Sequence, residues 1–290
     1  MGKEECIIFH ADDFGANQEV SEHILDCYRE GALHSLSVLP NGRDLDQCMQ
    51  MLMPYQDKIK VSIHFNLAEG HCLAEPSQVP FLVDERGMFH ISFFKVLLWS
   101  FTRKRKELRR QIELEMSAQL ARVLPYVKSV RVDSHQHYHM IPIVLKSILK
   151  AVEQSGREIE FIRVPAEPLS PFLKHPELWP TFRPINLVKN LVLNALNLMD
   201  RRILKPYRGK TAVFFGILLS GGMDLKRVRR LLPDFEEIAD RKNLSLEILC
   251  HPGGVQSPES LMDTGNIDCV RFYTSEGRKR EKEMLMNILH

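Results

Sequence analysis

The chain has 290 residues, 44% of them hydrophobic and 26% charged, with 39 basic and 37 acidic residues and a formal net charge of +2. That length buries a substantial core without staples, and the near balance of charge gives no sign of a nucleic-acid partner. None of the six cysteines, Cys6, Cys27, Cys48, Cys72, Cys250 and Cys269, forms a C-x-x-C pair, so the expected setting is a reducing cytoplasm without a disulfide framework.

Residues 1–5 are polar and Asp12 closely follows the next apolar run, which is not the pattern of a secretory signal. Residues 6–11 form the first predicted strand, and residues 17–30 a helix with Val20, Ile24, Leu25 and Tyr28 on one face, Asn17 as cap and Gly31 at its end. A second strand at 36–39 precedes a helix near 45–53, and a third strand covers 61–67. Residues 69–91 then break the pattern as a loop with Pro76, Pro80 and the turn Asp84-Glu85-Arg86-Gly87. The apolar run 93–101 is too short to span a bilayer and reads as a lid or core helix. With the basic cluster Arg103-Lys104-Arg105-Lys106 behind it, peripheral membrane contact over 93–110 is the alternative. Helix 104–124 carries Glu107, Glu113 and Glu115 at helical spacings from those basic residues, as a solvated face does.

Strand 130–133, helix 143–154 and strand 160–164 follow, then a Pro-rich stretch 165–184 leading into a helix near 187–201. Strand 211–215, helix 225–241, strand 245–250 and a last helix near 275–289 complete the chain. About seven strands alternating with helices imply an α/β fold with a parallel sheet and right-handed crossovers, either an open doubly wound sheet or a closed barrel. A single domain over 1–290, with insertions at 69–91 and 165–184, accommodates all of it.

Chemistry concentrates at the strand ends. The first strand leads into Asp12-Asp13, the third carries His64, the fourth ends in Asp133-Ser134-His135-Gln136-His137-Tyr138-His139, and the seventh in His251-Pro252-Gly253-Gly254. In a parallel sheet all carboxyl ends point to one face, so these residues converge there. Each piece alone has a plainer account: a turn, a core histidine, a polar loop. Together they point to metal binding and proton transfer.

The blocks His10-Ala11-Asp12-Asp13-Phe14-Gly15, Ser62-Ile63-His64-Phe65-Asn66-Leu67, Val132-Asp133-Ser134-His135-Gln136-His137-Tyr138-His139, Ile162-Arg163-Val164-Pro165-Ala166-Glu167 and Leu249-Cys250-His251-Pro252-Gly253 stand in this order along nearly the whole chain. As a set they resemble the motifs of the YdjC-like carbohydrate deacetylases. The resemblance implies an irregular (β/α) barrel of the polysaccharide-deacetylase (NodB-like) type, and hydrolysis of an acetamide on an N-acetylated sugar. It implies metal ligands Asp13, His64 and His135, a base at Asp12 with Arg163 beside it, and an acid at His251. The family's metal is Mg²⁺, whereas two imidazoles and a carboxylate suit Zn²⁺ or another transition metal. His137, His139, Asp133, Asn66 and Glu167 are expected as supporting groups or sugar contacts, Asp133 by orienting a ligand imidazole.

Adjacent aspartates point opposite ways in a strand, so both serve one site only if the chain turns there, and Gly15 makes that turn plausible. Competing readings are a phosphoesterase or amidase on the same barrel, a sugar-binding protein without catalysis, and a deacetylase of lipid-linked sugar. A homodimer is compatible with the sequence.

Overall fold

The computed structural model describes residues 7–289; the expectations for residues 1–5 and for Cys6 lie outside them. Seven strands are present: β1 (Ile7–Phe14), β2 (Ser35–Val38), β3 (Lys60–Phe65), β4 (Val130–Ser134), β5 (Ile159–Ile162), β6 (Ala212–Phe215) and β7 (Ser245–Cys250). All pair in parallel, in the order β5-β4-β3-β2-β1-β7-β6. Among the described residues no ladder joins β5 to β6, so the sheet is an opened barrel.

The curl can be argued from one side chain. Arg163 follows β5 directly, yet its Nε lies 3.0 Å from Glu247 Oε1 on β7. In a flat sheet those strands would be about 24 Å apart, far beyond the reach of an arginine. The sheet must therefore wrap round a shared interior.

The helices are α1 (Gln18–Arg29), α2 (Leu45–Leu52), α3 (Phe93–Trp99), α4 (Arg105–Val123), α5 (Pro142–Gln154), α6 (Ser170–Leu173), α7 (Pro184–Leu204), α8 (Leu225–Lys242), α9 (Ile267–Tyr273) and α10 (Glu276–Asn287). Local signals set several boundaries. The Asn17 side chain accepts the Val20 N–H at the start of α1, and Asp224 accepts the Arg227 N–H at the start of α8. Asn243, at φ 51°, closes α8 in the left-handed conformation that asparagine tolerates.

Four sequence expectations change. Loop 69–91 is packed, with Val79, Leu82, Val83, Phe89 and Ile91 buried. Glu115 is not on a solvated face but buried, accepting the backbone N–H groups of Leu73 and Ala74 and so tying that loop to α4. Glu107 and Glu113 do pair on the surface, with Arg110 and Arg109. Stretch 165–184 is partly helical, holding α6 and a 3-10 turn (Pro176–Thr181). Finally, α3 is not a core helix: Val96 is its one buried apolar residue, while Phe94 and Leu98 are exposed.

Candidate metal centre and active site

The carboxyl end of β1 presents two aspartates to one interior because its backbone turns at Asp13. Asp13 has φ 74° and Gly15 φ 90°, and the register against β2 shifts between Ala11 and Phe14. The turn thus begins two residues earlier than the glycine signal at Gly15 implies. A left-handed L-residue costs roughly 1–2 kcal/mol, and a short polar side chain bears it best.

Asp13, His64 and His135 each offer a ligand atom, all within 4.8 Å of one another and all buried. His64 Nε2 is 3.8 Å and His135 Nδ1 3.3 Å from Asp13 Oδ1. Donors on one small divalent ion stand about 3.0–3.4 Å apart, so small adjustments close the set. Asp13 Oδ1 is buried and makes no hydrogen bond among the described residues. Around it six buried acidic side chains, Asp12, Asp13, Glu69, Asp133, Glu247 and Glu281, face two buried guanidinium groups, Arg163 and Arg278. A buried excess of acid with an orphaned oxygen is the environment a divalent cation relieves.

Each imidazole is backed by a carboxylate on its other nitrogen. Asp133 Oδ1 lies 2.6 Å from His64 Nδ1, and Glu69 Oε1 lies 3.3 Å from His135 Nε2. Such pairs fix the tautomer and ring orientation of a metal-binding histidine. Burial opposes protonation of His135, but Glu69 and Asp13 outweigh it and push that imidazole up to about 10. For Asp13, burial opposes ionisation and is overcome by His135 and Arg278, which hold the carboxyl far below the usual range.

Asp12 lies beside this triad. Arg163 clamps both of its oxygens at 2.9 Å, and His64 Nε2 is 3.6 Å from Oδ2. Burial opposes its ionisation too, but Arg163, His64 and His10 hold it well below the ordinary carboxylate value. The Ser37 hydroxyl stands within hydrogen-bond distance of Asp12, Asp133 and His10. His10, Asp12 and Asp133 also cluster closely enough to grip an ion, but Arg163 reaches both acids, 3.3 Å from Asp133 Oδ2, and already supplies the positive charge.

His251 closes the other side, its Nε2 4.0 Å from Asp12 Oδ2. Glu281 accepts the His251 backbone N–H at 2.6 Å and lies 3.4 Å from its Nδ1. From the same helix, α10, Arg278 donates to Asp13 Oδ2 at 2.7 Å and lies against the rings of Phe272 and Tyr273. Sequence reasoning missed Glu69, Arg278, Glu281, His10, Ser37 and Glu247. Two carried a signal: His10 shares strand parity with Asp12, and Glu247 interrupts an apolar strand.

The remaining expected residues separate. His137, at φ 59°, stacks edge-on with Phe214, and its Nδ1 has no partner among the described residues. Burial, with Arg163 and His139, keeps it neutral, far below the usual imidazole range. His139 is held between the Ser134 hydroxyl and the Arg163 carbonyl, and burial pushes it down to about 4. Asn66 shapes the turn to Glu69: its amide donates to the Glu69 carbonyl and its oxygen accepts the Ala68 N–H. Glu167 accepts the N–H groups of Gly216, Ile217 and Leu218 and one from Asn190. Its carboxylate is thus committed to the turn after β6; burial pushes it up to about 7 against those bonds.

Comparison with known proteins gives concordant results. The family model described as YdjC-like protein matches residues 6–287. A carbohydrate deacetylase of Xenopus laevis is 26% identical over 273 residues, covering 87% of this chain and 82% of that protein. A chitooligosaccharide deacetylase of Escherichia fergusonii is 25% identical, covering 88% and 84%. A carbohydrate deacetylase of Danio rerio is 28% identical over 165 residues, half of that protein's length. A crystal structure from Enterococcus faecalis, of a protein described as a cellobiose-phosphate cleavage protein, superposes with TM-score 0.58 at 17% identity over 97% of this chain and 94% of that one, a likeness of fold. With its motifs in order and the match running almost end to end, this chain belongs to the YdjC-like family.

Proposed function

We propose that this protein hydrolyses the acetamide of an N-acetylated mono- or oligosaccharide, releasing acetate and an amino sugar, with one divalent cation held by Asp13, His64 and His135. The observation that carries the reading is the meeting of that buried triad with Asp12 and His251, 4.0 Å from each other, at one end of the sheet. The names of the relatives in frog and bacteria point to the same substrate class.

When bound, the cation would supply Lewis-acid polarisation of the amide carbonyl and acidify water. Asp12 Oδ2 then accepts the water proton; it keeps a lone pair for this beside its bond from Arg163 Nη1. Arg163 keeps that carboxylate ionised and aimed. On the far side His251 Nε2 donates a proton to the amine nitrogen as the C–N bond breaks, while Glu281 pins the ring through Nδ1 and the backbone. Half-buried His137 flanks this site, and since its Nδ1, unpartnered among the described residues, is buried, Nε2 is the nitrogen it would offer to a sugar hydroxyl.

A phosphoesterase would want a free guanidinium. Arg163 is spent on Asp12 and Glu247; Arg278 bonds Asp13 and the Gly253 carbonyl and Arg131 bonds Glu160, and the nitrogens these two leave without a partner among the described residues, Arg278 Nη2 and Arg131 Nε, are buried. The described cysteines are free thiols, as a reducing cytoplasm keeps them. Mg²⁺ fits the family, whereas the nitrogen-rich ligand set favours Zn²⁺ or another transition metal. Acetate and phosphate release should be measured in parallel over N-acetylated and phosphorylated sugars, with each metal added back. Acetate from N-acetylated sugars alone is expected. Phosphate release, or no acetate from any such sugar with any metal, would overturn the reading.

A further inference from the structure

The face formed by α3 and α7 has the wrong polarity for a free surface. On α7 the inward stripe is mixed: Asn186, Asn190 and Asp200 are buried beside Leu193, Leu196 and Leu204. Asn186 donates to the Leu218 and Ser220 carbonyls, and Asn190 to the Glu167 carbonyl. The outward stripe is apolar, with Val188 at 49%, Leu191 at 52% and Leu198 at 65% exposure. A helix packed on a soluble core keeps that outward stripe polar. On α3 and just beyond it, Phe94, Leu98 and Phe101 are 63%, 64% and 68% exposed. The two helices adjoin: Phe93 and Leu97 of α3 and Val192 of α7 rest on one small cluster with Met140, Leu193 and Leu196. Phe93 also packs on Tyr138, so this face flanks the turn that carries His135.

Charge says what covers it. Residues 91–106 hold five Lys and Arg residues and no acid; residues 183–205 hold five more and a single acid, the buried Asp200. Among the described residues none of those ten is in an ion pair. The chain as a whole is nearly balanced, 39 basic against 37 acidic, so the asymmetry is local. A second copy of this chain is a poor occupant, because a two-fold contact would press this basic face against itself. Exposed Phe and Leu rimmed by unpaired Lys and Arg match an anionic lipid surface: the apolar side chains enter the acyl boundary and the cations meet headgroups. No described helix is long and apolar enough to cross a membrane, so the contact is peripheral.

We infer that the α3–α7 face docks this protein reversibly on anionic lipid bilayers, with α7 lying along the surface and the 135–140 turn beside it. The test is co-sedimentation with phosphatidylcholine vesicles, with and without about 30% phosphatidylglycerol. Binding to the anionic vesicles is expected, at least about tenfold weaker without the anionic lipid and weaker in raised salt. Leu191→Ser/Leu198→Ser and, separately, Arg201→Glu/Arg202→Glu should each weaken it by at least about tenfold. Both pairs are exposed, and unchanged circular dichroism and hydrolysis of a soluble substrate would show the fold intact. Absence of sedimentation with either vesicle would overturn the inference. So would a concentration-dependent dimer, abolished by Leu191→Ser/Leu198→Ser, in place of vesicle binding. Sedimentation is read without turnover, so its failure is distinguishable from failure of the deacetylase reading.

Discussion

At the scale of single residues, two adjacent aspartates have different surroundings because the backbone turns at Asp13. Asp13 faces His64 and His135, while Asp12 is gripped by Arg163 and faces His251. Asp12→Asn should therefore keep metal content near that of the parent and lower kcat by about a thousandfold or more, measured by elemental analysis beside acetate release. Metal lost together with activity would move Asp12 into the ligand set. Glu281→Gln keeps a carbonyl oxygen for the His251 backbone N–H but removes the charge beside Nδ1. It should lower kcat roughly tenfold to a hundredfold with little change in KM, and should move the alkaline limb of the pH profile to lower pH, because the proton on His251 loses a neighbouring negative charge. A pure loss of thermal stability with normal kinetics would make Glu281 merely structural. The sequence made Asp12, Asp13, His64, His135 and His251 legible because motif order and strand-end position coincide in them. It hid Arg278 and Glu281 because α10 is polar throughout its exposed length, and nothing in a helix of Lys, Arg and Glu marks which two turn inward.

At the scale of elements, loop and helix cooperate to place the backing carboxylate of His135. Glu115 on α4 ties down Leu73 and Ala74, Gln119 bonds the Asn66 backbone, and Asn66 bonds Glu69. Glu115→Ala removes the acceptor of two half-buried N–H groups and should cost about 1–3 kcal/mol of stability, seen in denaturant titration with an unchanged m-value. Glu115 was legible as a helix residue but not as an anchor, since a glutamate in so charged a helix also fits a solvated face. Helix α7 carries a second test. Asp200 is buried with neither carboxylate oxygen hydrogen-bonded among the described residues, and burial pushes it up to about 7 although Lys146 pulls the other way. A raised folded-state value makes its contribution full below the ordinary value near 3.8 and lost as pH rises through about 7. Asp200→Asn should thus stabilise the protein at pH about 8 by about 1–3 kcal/mol, a few degrees in Tm, with the gain fading toward pH about 4. Equal gains at both ends of a pH series of thermal melts would contradict the assignment. The burial of Asn186, Asn190 and Asp200 on α7 was not legible either. Its apolar residues have a helical period, and period alone does not say which face is covered.

At the scale of the whole molecule, an opened parallel barrel gathers the ends of β1, β3, β4 and β7 around one interior, and β5 reaches it only through Arg163. Alternation of strands and helices predicted the parallel sheet but left open sheet and barrel undecided. The choice rests on strand order, with β7 inserted between β1 and β6, and on curl, neither of which a single strand's composition encodes. Because the proposed metal ligands come from β1, β3 and the turn after β4, far apart in sequence, a cation bound there would bind the folded state alone. At a hundredfold excess over Kd it should add about 2.7 kcal/mol of stability. The measurement that bears most directly on the centre is acetate release from an N-acetylated oligosaccharide by exhaustively chelated protein, before and after one equivalent of divalent metal, for the parent and for His64→Ala. Activity should vanish on chelation, return with one equivalent in the parent, and fail to return in His64→Ala. Undiminished hydrolysis by the chelated parent would contradict the account.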